Sequence, residues 1–403
     1  MPRHRSFVRL ILLLGGMLIF AAPARSVQGA VEASTRFTGP WNLQALRRPP
    51  AVTYIERGSP ISSLYYEGEP LHGKPTRVFA FLARPENGDG PFPAVVLAHG
   101  GGGKAFREWA ALWAARGYVA LAMDLAGQGP DNKPLPDGGP PQDDATKFQA
   151  SEIKDAWTYH AVADVIRGVS LLANLPDVDS KRLGITGISW GGYLTCIVAG
   201  LDDRLRAAVP VYGCGFLDED SYWVPILQKM PAADRKRWIE NFDPSRYLPQ
   251  CSMPVLFVNG TNDFAYPLDS YQKSYRLVRD RALCITINMP HGHKQGWSPV
   301  EIGLFMDEYL CGGKPLPRIE AVERRENRVT VRFHANVPIE HAALHFTSDI
   351  GPWQKRRWQS RDASIDGATV KAELPSDRPL VYFLSLTDER QATVSTEHEV
   401  IEQ

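Results

Sequence analysis

Ser189 stands in Gly187-Ile188-Ser189-Trp190-Gly191, a Gly-x-Ser-x-Gly spacing that fits a serine on a sharp strand-to-helix turn. Glycine on both sides lets the backbone turn where a Cβ would collide. The strain lifts the hydroxyl above the sheet edge. It also aims the amide of the next residue, Trp190, and the positive end of the following helix at an adduct's oxygen. A serine hydroxyl attacks only when a base takes its proton, and a third group must orient that base. Asp263 closes the turn Asn259-Gly260-Thr261-Asn262-Asp263 and is the expected acid; Asp269, a few residues on, is the alternative. The base lies in Met289-Pro290-His291-Gly292-His293. His293 is favoured because Pro-x-Gly-His places it at the tip of a tight turn, and His291 is the alternative. A second oxyanion donor is expected in His99-Gly100-Gly101-Gly102-Gly103, where bare backbone can approach an oxygen. Gly101 is the preferred donor and Gly102 its neighbour. His99 is read as a support that holds this loop by hydrogen bonding.

This chemistry needs no cofactor. No Cys-x-x-Cys or His-Glu-x-x-His spacing argues for a metal. No G-x-G-x-x-G follows the strand before the glycine loop, which argues against a dinucleotide site.

The elements that must position these groups alternate. Apolar strand-like runs fall at 76–83, 94–98, 118–123, 182–186, 207–211, 255–258 and 283–287. Helix-like segments fall at 106–116, 156–175, 192–200 and 299–310. Continuous apolar strands alternating with helices predict an α/β fold with a mostly parallel sheet covered on both faces. Two insertions interrupt the rhythm. Residues 127–144 are crowded with Pro, Gly, Asp and Gln, and 217–247 are rich in Trp and charge. Both follow strand ends, where open α/β sheets bind ligands.

The expected domain order follows from these shifts. Residues 1–24 read as a signal peptide. Arg3, Arg5 and Arg9 precede an apolar stretch too short for a comfortable membrane span, and Ala22-Pro23-Ala24 offers a cleavage site. Export to the periplasm or the medium follows, with no stable membrane span after cleavage. Residues 25–75 read as an N-terminal extension lying on the main domain, and 76–314 as the catalytic domain. Residues 315–403 alternate apolar and polar at period two and carry turn signals such as Asp366-Gly367, which predicts a small antiparallel β-sandwich. Trp353 and Trp358 there are read as core or interface residues before sugar platforms.

Lys and Arg number 45 and so do Asp and Glu, so charge gives no reason to expect nucleic acid as a partner. The five cysteines are irregularly spaced and name no disulfide pair.

With elbow, glycine loop, acid turn and histidine turn in this order, the chain resembles the α/β-hydrolase superfamily from about Thr76 to Cys311. Gly187-Ile188-Ser189-Trp190-Gly191-Gly192-Tyr193 together with Asn259-Gly260-Thr261-Asn262-Asp263 is similar to acetyl xylan esterase and dienelactone hydrolase relatives, and to prolyl oligopeptidase-type peptidases. The resemblance implies a Ser189, Asp263 and His293 triad. It also implies hydrolysis of a small-acyl ester on a small molecule or oligosaccharide, with cleavage of short peptides as the alternative. Dienelactone hydrolases use a cysteine where this chain has Ser189. Glu219, Asp220 and Arg235 are the residues a peptidase could use to anchor a peptide end; their plainer role is a solvated helix face.

Overall fold

The computed structural model describes residues 36–402. The expected signal peptide, and the first part of the expected extension, lie outside the described residues.

Nine strands form one twisted sheet: β1 (Val52–Glu56), β2 (Ile61–Glu67), β3 (Arg77–Ala83), β4 (Phe92–Ala98), β5 (Val119–Met123), β6 (Val178–Ile188), β7 (Leu205–Val211), β8 (Val255–Gly260) and β9 (Arg281–Thr286). Their order is β1-β2-β3-β5-β4-β6-β7-β8-β9. From β5 to β9 every neighbouring pair is parallel. β1, β2 and β3 extend the sheet antiparallel from β5. The central strands are buried end to end, as in β5 and β8. Such strands must be covered on both faces, which is why they read as continuous apolar runs.

β6 shows how the cover is arranged. A Cβ at Gly184 would meet Met306 and Leu310 of the helix Val300–Cys311. A Cβ at Gly187, of opposite parity along the strand, would meet Gly191 and Thr195 of the helix Trp190–Leu201. Alternate side chains leave a strand on opposite faces, so these two helices lie on opposite sides of the sheet. The helix Trp157–Ala173 packs beside Trp190–Leu201 and is buried from Trp157 to Leu172.

The stretch read as an N-terminal extension contributes β1 and β2 to the sheet. β1 is an edge strand and mostly exposed, and β2 buries Ser62 and Ser63 among its apolar residues. Neither leaves a clean apolar period in the sequence. The insertion 217–247 folds into the helices Val224–Lys229 and Ala232–Phe242 and the 3-10 turn Pro244–Arg246, with a second such turn, Leu248–Gln250, after it.

Beyond the sheet, two antiparallel sheets form the C-terminal part. One holds Arg318–Arg325, Arg328–His334, Thr369–Glu373 and Ser364–Asp366. The other holds Gln359–Asp362, Ile339–Thr347, Leu380–Asp388, Thr393–Ser395 and Glu399–Ile401. Thr393–Ser395 and Glu399–Ile401 pair with opposite ends of Leu380–Asp388. Cys196, Cys214 and Cys284 are buried free thiols, and Cys311 is an exposed one.

This part is joined to the sheet by buried polar contacts. Ser395 Oγ accepts from the Ile285 amide at 3.0 Å, and Glu301 accepts from the Thr393 amide at 2.7 Å. Asn262 Nδ2, in the acid turn after β8, donates to the carbonyls of Trp353, Gln354 and Arg356. Trp353 meets the turn after β8 through its carbonyl, while its ring packs within the C-terminal part, edge-on to His398 and 3.7 Å from the Arg356 guanidinium.

Candidate active site

Ser189 follows β6 and sits at φ 59°, ψ −118°, a conformation that costs a non-glycine residue roughly 1–3 kcal/mol. Its amide bonds the Val211 carbonyl at 2.9 Å, which pins the turn to β7. The flanking glycines are steric necessities. A Cβ at Gly191 would lie 1.9 Å from the Ala98 carbonyl oxygen, and one at Gly187 would lie 2.2 Å from the Gly191 oxygen. Ser189 precedes the helix Trp190–Leu201 but does not cap it with its side chain. Among the described residues the Ser189 hydroxyl makes no hydrogen bond, so it is free for chemistry.

Asp263 is buried after β8, and its carboxylate is fully engaged. Oδ1 accepts from the amides of Ala265 at 2.9 Å and Tyr266 at 2.8 Å. Oδ2 lies 2.6 Å from Nδ1 of His291. The bond fixes Nδ1 as the protonated nitrogen and leaves Nε2 as the acceptor. The imidazole is stacked on Tyr212, with ring centroids 4.3 Å apart, and Phe264 tilts against it at 4.8 Å. Tyr212 directly follows Val211, the residue that bonds Ser189. The Tyr212 hydroxyl ties down the loop by donating to the Pro290 carbonyl at 2.8 Å.

The favoured base, His293, occupies a different place. Gly292 is extended at φ −179°, and His293 opens the short helix His293–Trp297. The expected tight turn does not form, and an extended glycine sends the two rings apart. Asp263 therefore meets His291. Nε2 of His293 instead accepts the Gly100 amide at 3.0 Å, and its ring packs on Phe106 at 4.8 Å. Burial, and then the neighbouring His99, lower its pKa to about 4. Asp269, the alternative acid, accepts from the Ser270 amide at the start of the helix Leu268–Arg276.

The glycine loop after β4 lies over the elbow. A Cβ at Gly100 would fall 2.8 Å from Ser189 Cβ, and one at Gly101 would fall 3.2 Å from Cδ1 of Trp190. His99 is buried and holds the loop: Nε2 accepts from the Leu125 amide and Nδ1 donates to the Gly100 carbonyl, both at 2.8 Å. Among the described residues no turn or loop carbonyl accepts from the Gly101 or Trp190 amides.

The surroundings are aromatic to a degree the sequence only hinted at. The Trp190 ring touches Trp223 at 4.4 Å, Tyr193 at 4.9 Å, Trp157 at 5.6 Å and Phe148 at 6.0 Å. The Lys147 ammonium lies 5.0 Å from the Trp190 centroid and is held in part by Asp144. Tyr222 and Phe264 pair edge to face beside His291 and are 59% and 51% exposed, a large apolar rim left open to solvent. Trp223 and Tyr222 come from the Trp-rich insertion, which was the available signal. Nothing in the local sequence announced Phe264 or Phe106.

Ser189 follows β6, Asp263 follows β8 and His291 follows β9, and the mostly parallel sheet that carries them matches solved structures. The acetyl xylan esterase from Paenibacillus sp. R4 superposes with a TM-score of 0.55 at 22% identity, covering 67% of this chain and 92% of that one. The chain has the α/β-hydrolase fold. The acetyl xylan esterase (AXE1) family model matches residues 58–246. A model described as PhoPQ-activated pathogenicity-related protein matches 220–350. The acetyl esterase Axe7A of Xylanibacter ruminicola is 25% identical over 218 residues, 47% of this chain and 46% of the relative. A protein named probable dipeptidyl-peptidase 5 from Aspergillus clavatus is 25% identical over 253 residues, 56% of this chain and 31% of the relative. The chain thus spans less than half the length of these two relatives.

Proposed function

We propose that this α/β-hydrolase is an exported serine esterase that removes small acyl groups, acetyl foremost, from saccharide esters. Its catalytic groups are Ser189, His291 and Asp263. The observation that carries this reading is the 2.6 Å bond from Asp263 to His291, formed between the turns after β8 and β9 on the sheet whose β6 ends in a serine held on an elbow. His291 Nε2 takes the proton of Ser189 as Oγ attacks the ester carbonyl. The Trp190 and Gly101 amides hold the oxyanion, each worth roughly 3–4 kcal/mol in the transition state. The alcohol leaves with the proton from His291. Water, deprotonated by the same imidazole, then frees the acid and restores the hydroxyl.

The match to the acetyl xylan esterase model supports the esterase reading, and the open rim of Tyr222 and Phe264 supports a sugar alcohol. Aromatic faces receive the apolar face of a pyranose well. Export rests on the segment 1–24. A short-peptide hydrolase is the second reading, favoured by the dipeptidyl-peptidase relative. Against it, Glu219 is paired with Lys273, which removes one acid that could hold a peptide amino terminus. The deciding experiment compares p-nitrophenyl acetate and acetylated xylo-oligosaccharides with a prolyl p-nitroanilide. Ester turnover lost in Ser189→Ala is the expected result. Amide turnover exceeding ester turnover would replace this reading with the second.

A further inference from the structure

We infer that His293 is a positioning residue that, with His99, clamps the Gly100 peptide from both ends and so aims the Gly101 amide at the oxyanion. The inference rests on the Ser189–His291–Asp263 reading and adds a second job for the His-Gly-His segment.

The sheet order sets the stage. β6 lies between β4 and β7, so Ser189 has the Gly100 loop on one side and Tyr212 on the other. His291 stacks on Tyr212 and His293 bonds Gly100. The helix His293–Trp297 bridges the gap, for a Cβ at Gly296 would touch both Ile188 and Tyr212. The two imidazoles therefore straddle the nucleophile. The side that meets Asp263 belongs to His291.

The bonds at Gly100 are mutually consistent. His99 Nε2 accepts the Leu125 amide, so its proton is on Nδ1 and is given to the Gly100 carbonyl. His293 Nε2 accepts the Gly100 amide, so it must be unprotonated. Burial beside His99 keeps it so at neutral pH. Gly103 is the space both rings need, since a Cβ there would lie 2.6 Å from His293 Nε2 and 2.7 Å from His99 Nδ1. Four consecutive glycines are otherwise the most mobile backbone a chain can offer. With the Gly100 amide already committed, the next free donor in the loop is Gly101, which sits over the Trp190 ring.

The test uses the full chain, p-nitrophenyl acetate and four variants: His293→Leu, His293→Asn, His293→Gln and His291→Gln. The Gln Oε1 reaches the place of Nε2 and can accept the Gly100 amide; Asn cannot reach it. His293→Leu and His293→Asn are expected to lose roughly 10²–10³-fold in kcat, the loss for one oxyanion donor, with KM within about threefold. His293→Gln is expected to recover to within about tenfold of wild type. Reaction of Ser189 with a fluorophosphonate, corrected for folded fraction by circular dichroism, should follow the same order. Wild-type kcat in His293→Leu would overturn the clamp. So would a kcat that falls only as the folded fraction falls. His293→Gln as inactive as His291→Gln would overturn it in favour of His293 as the base. Full activity of His291→Gln would instead overturn the triad reading, a separate failure.

Discussion

Two histidines two residues apart differ only in what their backbone lets them face. Asp263 bonds His291 because extended Gly292 turns His293 to the other side of Ser189. Residue types in order were enough to place Ser189 and Asp263, since each follows a strand on a turn that glycine makes possible. They could not rank the histidines, because the choice depends on one φ angle and on Tyr212, which offers its ring from a different strand. The catalytic roles predict unequal losses. Ser189→Ala and His291→Gln should each lower kcat/KM on p-nitrophenyl acetate by several orders of magnitude with unchanged far-UV circular dichroism. Asp263→Asn should cost roughly 10³–10⁴-fold, because an amide no longer selects the Nδ1–H tautomer. An Asp263→Asn enzyme within tenfold of wild type would remove the carboxylate from the mechanism.

At the level of elements, the parallel strands were legible as apolar runs because burial on both faces leaves no room for polar alternation. The helix Trp190–Leu201 was legible from the elbow alone, being buried throughout and without a polar stripe. β1 and β2 were not legible: an exposed edge strand and a strand burying serines carry no period. Close approach between elements gives the second prediction. Gly191→Ala puts a Cβ 1.9 Å from a β4 carbonyl, which cannot yield, so the elbow helix must leave the sheet. Soluble yield and fluorophosphonate labelling should both collapse. Gly102, at φ 65° with open space around it, should accept Ala for about 1–2 kcal/mol of strain and stay folded. Buried charge on the helix Trp157–Ala173 gives a third. Burial raises the Asp164 pKa to about 7, above its unfolded value of 3.8. The folded state then holds the proton more tightly, so the contribution of Asp164 to stability is fullest below pH 4 and is lost as pH rises through 7. Asp164→Asn should flatten that slope. Urea midpoints at pH 5 and pH 8 measure it, and equal wild-type and variant slopes would refute the burial argument.

For the whole molecule, the C-terminal sheets are part of what holds the turns of Asp263 and His291. Alternation and turn residues announced two antiparallel sheets, but their docking could not be read, because it runs through backbone carbonyls that every sequence possesses. Asn262 shows the consequence. Its amide spans three carbonyls of the 353–356 segment, while its Oδ1 accepts from Thr261 and Asp263 follows it in the chain. Thr261 in turn accepts from the Asn288 amide, three residues before His291. A displaced Asn262 would therefore disturb acid and base together. Asn262→Ala should lower kcat by about tenfold while KM stays near wild type, since a misdirected triad weakens the transition state and leaves substrate binding intact. Asn262→Asp should be worse, because a carboxylate would face three carbonyl oxygens. A general loss of stability would instead lower the folded fraction and leave the kcat of each folded molecule unchanged. Active-site titration with a fluorophosphonate separates the two. A normal kcat per titrated site in Asn262→Ala would reduce the C-terminal sheets to a cover for β9.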